Sequence, residues 1–100
     1  MVSTMNATGP RGPDLLAIMR KARELLATRG DDTGWSSWPD QAHALGELDQ
    51  LIGQLEQGEV AEAKLRVLFA PTGNLQDVSL QNGWSDEYLE LAKQFDVAVR

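Results

Sequence analysis

At one hundred residues the chain is sized for one domain, and its 42% apolar and 24% charged residues are those of an ordinary globular protein. With no cysteine, a disulfide framework, a thiol nucleophile and a thiolate zinc site are excluded. The net charge of −6 divides into +3 over residues 1–30, −8 over residues 31–62, which hold no Lys or Arg, and −1 over residues 63–100. So acidic a middle argues against nucleic acid as a partner, because that binding rests on clustered bases that neutralise phosphates.

Residues 1–13, with Gly9, Pro10, Gly12 and Pro13 and little apolar content, read as a flexible tail ahead of a single helical domain over 14–100. This stretch lacks the basic start and apolar centre of a signal peptide. No apolar run approaches the roughly 20 residues of a membrane span, so the expectation is a cytoplasmic protein with no membrane partner. The first helix is predicted to begin with Asp14 near its cap and to end at Gly30. Leu15, Ile18, Met19, Ala22, Leu25 and Leu26 fall on one stripe at the helical period, with Arg20, Lys21 and Arg23 off it.

After a polar loop, Trp35-Ser36-Ser37-Trp38-Pro39-Asp40 reads as a helix start, with Ser37 as cap, Asp40 three positions on and Pro39 in the first turn. The second helix runs with Trp38, Ala42, Leu45, Leu48, Ile52 and Leu55 on one face and stops at Gly58. Gly46 and Gly53 inside it weaken the helix and suggest close approach of a neighbour. Glu59–Ala70 is predicted as a third helix with Val60, Ala63, Val67 and Leu68 inward, ended by Pro71. The alternative is a hairpin within 65–80 around Pro71-Thr72-Gly73-Asn74. The helical reading, with a short helical turn around Asn74–Leu80, is preferred because Leu75–Leu80 does not alternate cleanly. The last helix is predicted after the Asn82-Gly83 turn, capped by Ser85, with Trp84 stapled onto Leu89 and Tyr88, Leu91, Ala92, Phe95 and Val99 inward. Gly34-Trp35-Ser36 and Gly83-Trp84-Ser85 read as one local solution used twice. The fold expected is therefore all-α, a small bundle of four main helices with a short helical turn between the last two. The alternative is α+β with one hairpin.

No nucleophile elbow, phosphate loop or paired zinc spacing is present. His43 is the only histidine, and with Asp40 and Glu47 at i−3 and i+4 it forms the one candidate metal-ligating face. The plainer reading of these three is a solvated acidic helix face. Trp38 and Trp84 read as core. Trp35, outside any helix beside Asp31 and Asp32, is the candidate partner anchor. A basic protein complements the acidic middle of the chain, and so does the chain's own basic first helix.

Two stretches carry a resemblance. Leu65-Arg66-Val67-Leu68-Phe69-Ala70-Pro71-Thr72-Gly73, followed by Leu75-Gln76-Asp77 and Ser79-Leu80-Gln81-Asn82-Gly83-Trp84, stands downstream of Trp35-Ser36-Ser37-Trp38. In this wording and order, over roughly residues 15–96, the chain resembles a family of small uncharacterised bacterial proteins with no assigned activity. The resemblance implies a bacterial source and carries over no catalytic or binding residue. The function expected is that of a non-catalytic interaction or regulatory protein with no cofactor, small and acidic in the manner of immunity proteins. The alternative is a small metal-dependent or accessory enzyme using Asp40, His43 and Glu47.

Overall fold

The computed structural model describes residues 11–71 and 73–99, with side chains from Asp14 onward. Helix α1 spans Arg11–Arg29 and buries the whole predicted stripe of Leu15, Ile18, Met19, Ala22, Leu25 and Leu26. It starts three residues ahead of Asp14. Pro13 is tolerated there because the first N–H groups of a helix have no intrahelical acceptor. The rest of the predicted tail, residues 1–10, lies outside the described residues. Gly30 follows with no room for a side chain, since a Cβ would stand 2.5 Å from the Leu26 carbonyl oxygen.

Helix α2 (Gln41–Glu56) is capped by Asp40, not by Ser37. Asp40 has the extended backbone of a cap residue (φ −161°, ψ 175°), and its Oδ1 accepts from the His43 N–H at 2.8 Å. Both residues are good caps by type. Ser37 is taken by Asn74 instead, which leaves the start to Asp40. Because Trp38 then precedes the helix, it does not set the phase. Ala44, Leu48, Leu51, Ile52 and Leu55 face inward, Leu45 is half-buried and Ala42 is exposed. Gly58 ends the run as predicted, with φ 87°, while the Glu59 N–H reaches the Gln54 carbonyl at 2.9 Å. Gly46 and Gly53 meet no close neighbour: a Cβ at either finds nothing within 4 Å.

Helix α3 is shorter than predicted, Glu62–Leu68, and turned differently. Leu65, Leu68 and Phe69 are buried, whereas Ala63 is exposed and Val67 is 70% exposed. The Phe69 ring sets this phase by stacking on Phe95 at 4.7 Å and Tyr88 at 6.3 Å. Helix α4 (Asn74–Asn82) is a full helix rather than a short turn, and no strand occurs among the described residues, which removes the hairpin. Gly73 lets the chain cross the end of α3, since a Cβ there would lie 2.6 Å from the Val67 carbonyl oxygen. Gly83, left-handed at φ 80°, stops α4, and the Trp84 N–H closes onto the Ser79 carbonyl at 2.8 Å.

Helix α5 (Ser85–Ala98) has Trp84 at its cap position, and Ser85 makes no capping bond. Tyr88, Leu91, Phe95 and Val99 are buried as predicted, with Ala92 half-buried. Leu89 is 54% exposed and is not stapled by Trp84. The indole of Trp84 is buried and donates its Nε1–H to the Arg29 carbonyl at 2.7 Å, sealing the end of α1. Tyr88 donates its O–H to the Phe69 and Ala70 carbonyls (3.0 and 3.2 Å). Burial first, then the charges of Asp96 and Asp77, push its pKa up to about 12.

The protein is thus an all-α small bundle with five helices among the described residues. None of them is long and apolar enough to cross a membrane. The basic α1 does complement the acidic α2: Arg20 meets Glu56 at 2.8 Å and Arg23 grips Asp49 with two bonds, at 2.7 and 3.2 Å. Arg29 ties α1 to α5 through Glu87 at 2.9 Å. All are exposed pairs, so each contributes about 0–1 kcal/mol, and the apolar face between the helices does most of the holding.

Candidate interaction surface

The connection from Gly30 to Asp40 is irregular, yet α4 binds it at three points. Asn82 pairs with both backbone groups of Asp32, donating to its carbonyl at 2.7 Å and accepting from its N–H at 3.3 Å. Gln81 Oε1 accepts from the Trp35 N–H at 2.9 Å. Asn74 accepts from the Ser37 N–H at 3.0 Å and donates to the Ser37 hydroxyl at 2.7 Å. An amide side chain offers both a donor and an acceptor, so each of these residues can stand in for a neighbouring strand of backbone.

The loop also ties itself together. Asp32 Oδ1 accepts from the Gly34 N–H at 3.2 Å, and the Ser36 hydroxyl donates to the Thr33 carbonyl at 2.8 Å while accepting from the Trp38 N–H at 3.2 Å. Thr33 and Trp38 are buried beneath it, and the Trp38 Nε1–H reaches Glu47 Oε1 at 3.0 Å. Residues near both ends of α4 thus hold the loop, Asn74 at one end and Gln81 with Asn82 at the other. Trp35 to Trp38 forms the loop, and the run ending in Gln81-Asn82-Gly83-Trp84 holds it.

The three tryptophans end in different surroundings. Trp38 and Trp84 are buried, with their ring N–H groups spent on Glu47 and on the Arg29 carbonyl. Trp35 is 65% exposed, and its ring has no stacking, cation or hydrogen-bond partner among the described residues. The two Gly-Trp-Ser segments are consequently not one solution used twice: Gly83 is a left-handed helix stop, whereas Gly34 lies in a turn without positive φ. Asp31 and Asp32 stand three to four residues before Trp35 in the same loop, both exposed and neither in an ion pair.

Of the candidate metal face, Asp40 and His43 are brought together, with His43 Nδ1 2.8 Å from Asp40 Oδ1. Hydrogen bonds from the His43 backbone and ring hold the Asp40 carboxyl below its ordinary range. Glu47 is engaged instead by the Trp38 indole. Among the described residues no three His, Asp or Glu side chains are arranged to hold a metal ion. A groove of about 660 Å³ between α1 and α5, lined by Asp14, Ile18, Glu90, Lys93 and Val97 among others, lacks a comparable set of unspent polar groups: Lys93 faces Glu90 at 3.9 Å.

What the sequence reading missed is the supporting row of Asn74, Gln81 and Asn82. The only signal was the place of Gln81 and Asn82 in the Leu75–Trp84 run, with Asn74 just ahead of it, which points to no chemistry by itself. Compared with known proteins, the chain matches no protein-family model, no curated protein and no solved structure.

Proposed function

We propose that the chain is a non-catalytic interaction or regulatory protein of the bacterial cytoplasm, acting in the manner of small acidic immunity proteins, with the loop Asp31–Trp38 as its contact surface. One observation carries the reading: a 65% exposed tryptophan stands on a loop whose backbone is fastened by side chains of α4. Large aromatic side chains supply most of the holding energy at interfaces, and a loop already fixed loses little freedom on binding. The bacterial setting rests on the family resemblance.

The test uses the full chain as bait in the cells that encode it, followed by calorimetry with the purified partner. Trp35→Ala is expected to weaken that binding by about 2 kcal/mol or more while its circular dichroism and melting stay near wild type. A purified partner that binds Trp35→Ala as tightly as wild type overturns the assignment of this loop.

A further inference from the structure

Resting on that reading, we infer that the loop receives an extended, arginine-bearing segment of the partner, with the guanidinium on the Trp35 ring beside Asp31 and Asp32 and main-chain carbonyls on the free N–H groups around it. The argument starts from groups left unspent. Trp35 Nε1 has no acceptor among the described residues, unlike the ring N–H of Trp38 and Trp84. Gln81 uses its oxygen on the Trp35 N–H and leaves its Nε2 donors unused, so the loop tryptophan and the α4 residue that holds its backbone both keep free donors. An extended backbone presents carbonyl acceptors at short, regular intervals, which is the chemistry these donors require.

The charges select the side chain. Asp31 and Asp32 carry no ion pair, and Asp77 lies one helical turn before Gln81 on the same face of α4, also outside any ion pair. An indole face attracts a cation. Arginine adds a flat, weakly hydrated group that stacks on the ring and can pair with a carboxylate at its edge. Phosphates and anionic lipid headgroups are repelled by the same carboxylates. A second copy of this chain is a poor occupant, because among the residues whose side chains are described Lys64 is the only Lys or Arg outside an ion pair.

The experiment follows fluorine resonances of the full chain labelled with 5-fluorotryptophan, the Trp35 signal being assigned by its loss in Trp35→Phe. The probes are a blocked hexapeptide of alternating Arg and Gly and its twin with citrulline, which keeps the shape and removes the charge. The Arg peptide is expected to shift the Trp35 signal saturably, leaving those of Trp38 and Trp84 in place, and the citrulline peptide to act far more weakly. Asp31→Asn with Asp32→Asn should weaken the Arg peptide about fivefold and flatten its salt dependence. An equal response to both peptides, or none, overturns the inference. So does a Trp35 shift that appears on raising protein concentration alone, which identifies a second copy as the occupant. Trp35-dependent binding of a purified partner without any response to the Arg peptide overturns this inference and leaves the interaction reading standing.

Discussion

One carboxylate starts α2, and its environment makes a pH prediction. Asp40 accepts from the His43 backbone N–H and from the His43 ring, and these bonds lower its pKa from 3.8. Asp49 is lowered by the Arg23 guanidinium, and Glu87 by a backbone N–H and then by Arg29. A carboxylate whose folded pKa lies below its unfolded one adds stability above the unfolded pKa, and that contribution is lost as pH falls through the folded value. The melting temperature is therefore expected to be level with respect to these groups above about pH 5 and to fall below about pH 4. Asp40→Asn, which keeps a good cap but no charge, should flatten part of that acid slope. Asp40→Ala should cost about 1 kcal/mol at neutral pH, while Ser85→Ala stays within about 0.5 kcal/mol. Thermal melts from acid to neutral pH check all three, and a Ser85→Ala loss matching that of Asp40→Ala contradicts the cap assignment. Sequence alone could not rank Ser37 against Asp40, since both are capping types in one short segment. A residue 37 positions away, Asn74, decides between them by taking Ser37.

The interiors of the long helices were more legible than the short ones. The stripes of α1 and α5 read correctly because each repeats over several turns, so one apolar face is unambiguous. Helix α3 has two turns, and its phase is set from outside by the Phe69 stack on Phe95, which left Val67 on the surface. The all-α fold was legible on the same grounds, as was Trp35 as the odd tryptophan. The amide row beneath the loop was not, because Asn and Gln show no periodicity and their partners lie far along the chain. The glycines of α2 are a case where sequence suggested a purpose that the structure removes. Gly46 and Gly53 sit in a helix, without positive φ and with nothing within 4 Å of a Cβ. Each changed to Ala is therefore expected to add about 0.5–1 kcal/mol, by helix propensity and by a less disordered unfolded chain. Denaturant midpoints measure this directly. A loss of stability at either site would show that a neighbour does approach α2 there.

Across the described residues, three arginines are spent where helices meet, three further bases pair within their own helices, and acids are left over. Arg20, Arg23 and Arg29 each join α1 to a carboxylate on another helix, while Asp14, Asp31, Asp32, Glu59, Asp77, Asp86 and Asp96 have no ion pair. The surplus appears as the net charge of −6. Two opposed salt effects follow from their different ranges. The interhelical pairs hold charges 2.7–2.9 Å apart, inside any screening length, so moderate salt weakens them only in part. The repulsion among the leftover acids acts over longer distances, which screening removes first: the Debye length shrinks from about 30 Å at 0.01 M to about 10 Å at 0.1 M. Adding sodium chloride across that range is therefore expected to raise the melting temperature of the free protein by a few degrees, as read by scanning calorimetry. A complex with a basic segment at the Trp35 loop should respond in the opposite sense, because there the same ions screen an attraction that speeds encounter. A melting temperature that falls steadily over this salt range would mean that the α1 pairs outweigh the surplus acids, and the account of the charge distribution would have to be reversed.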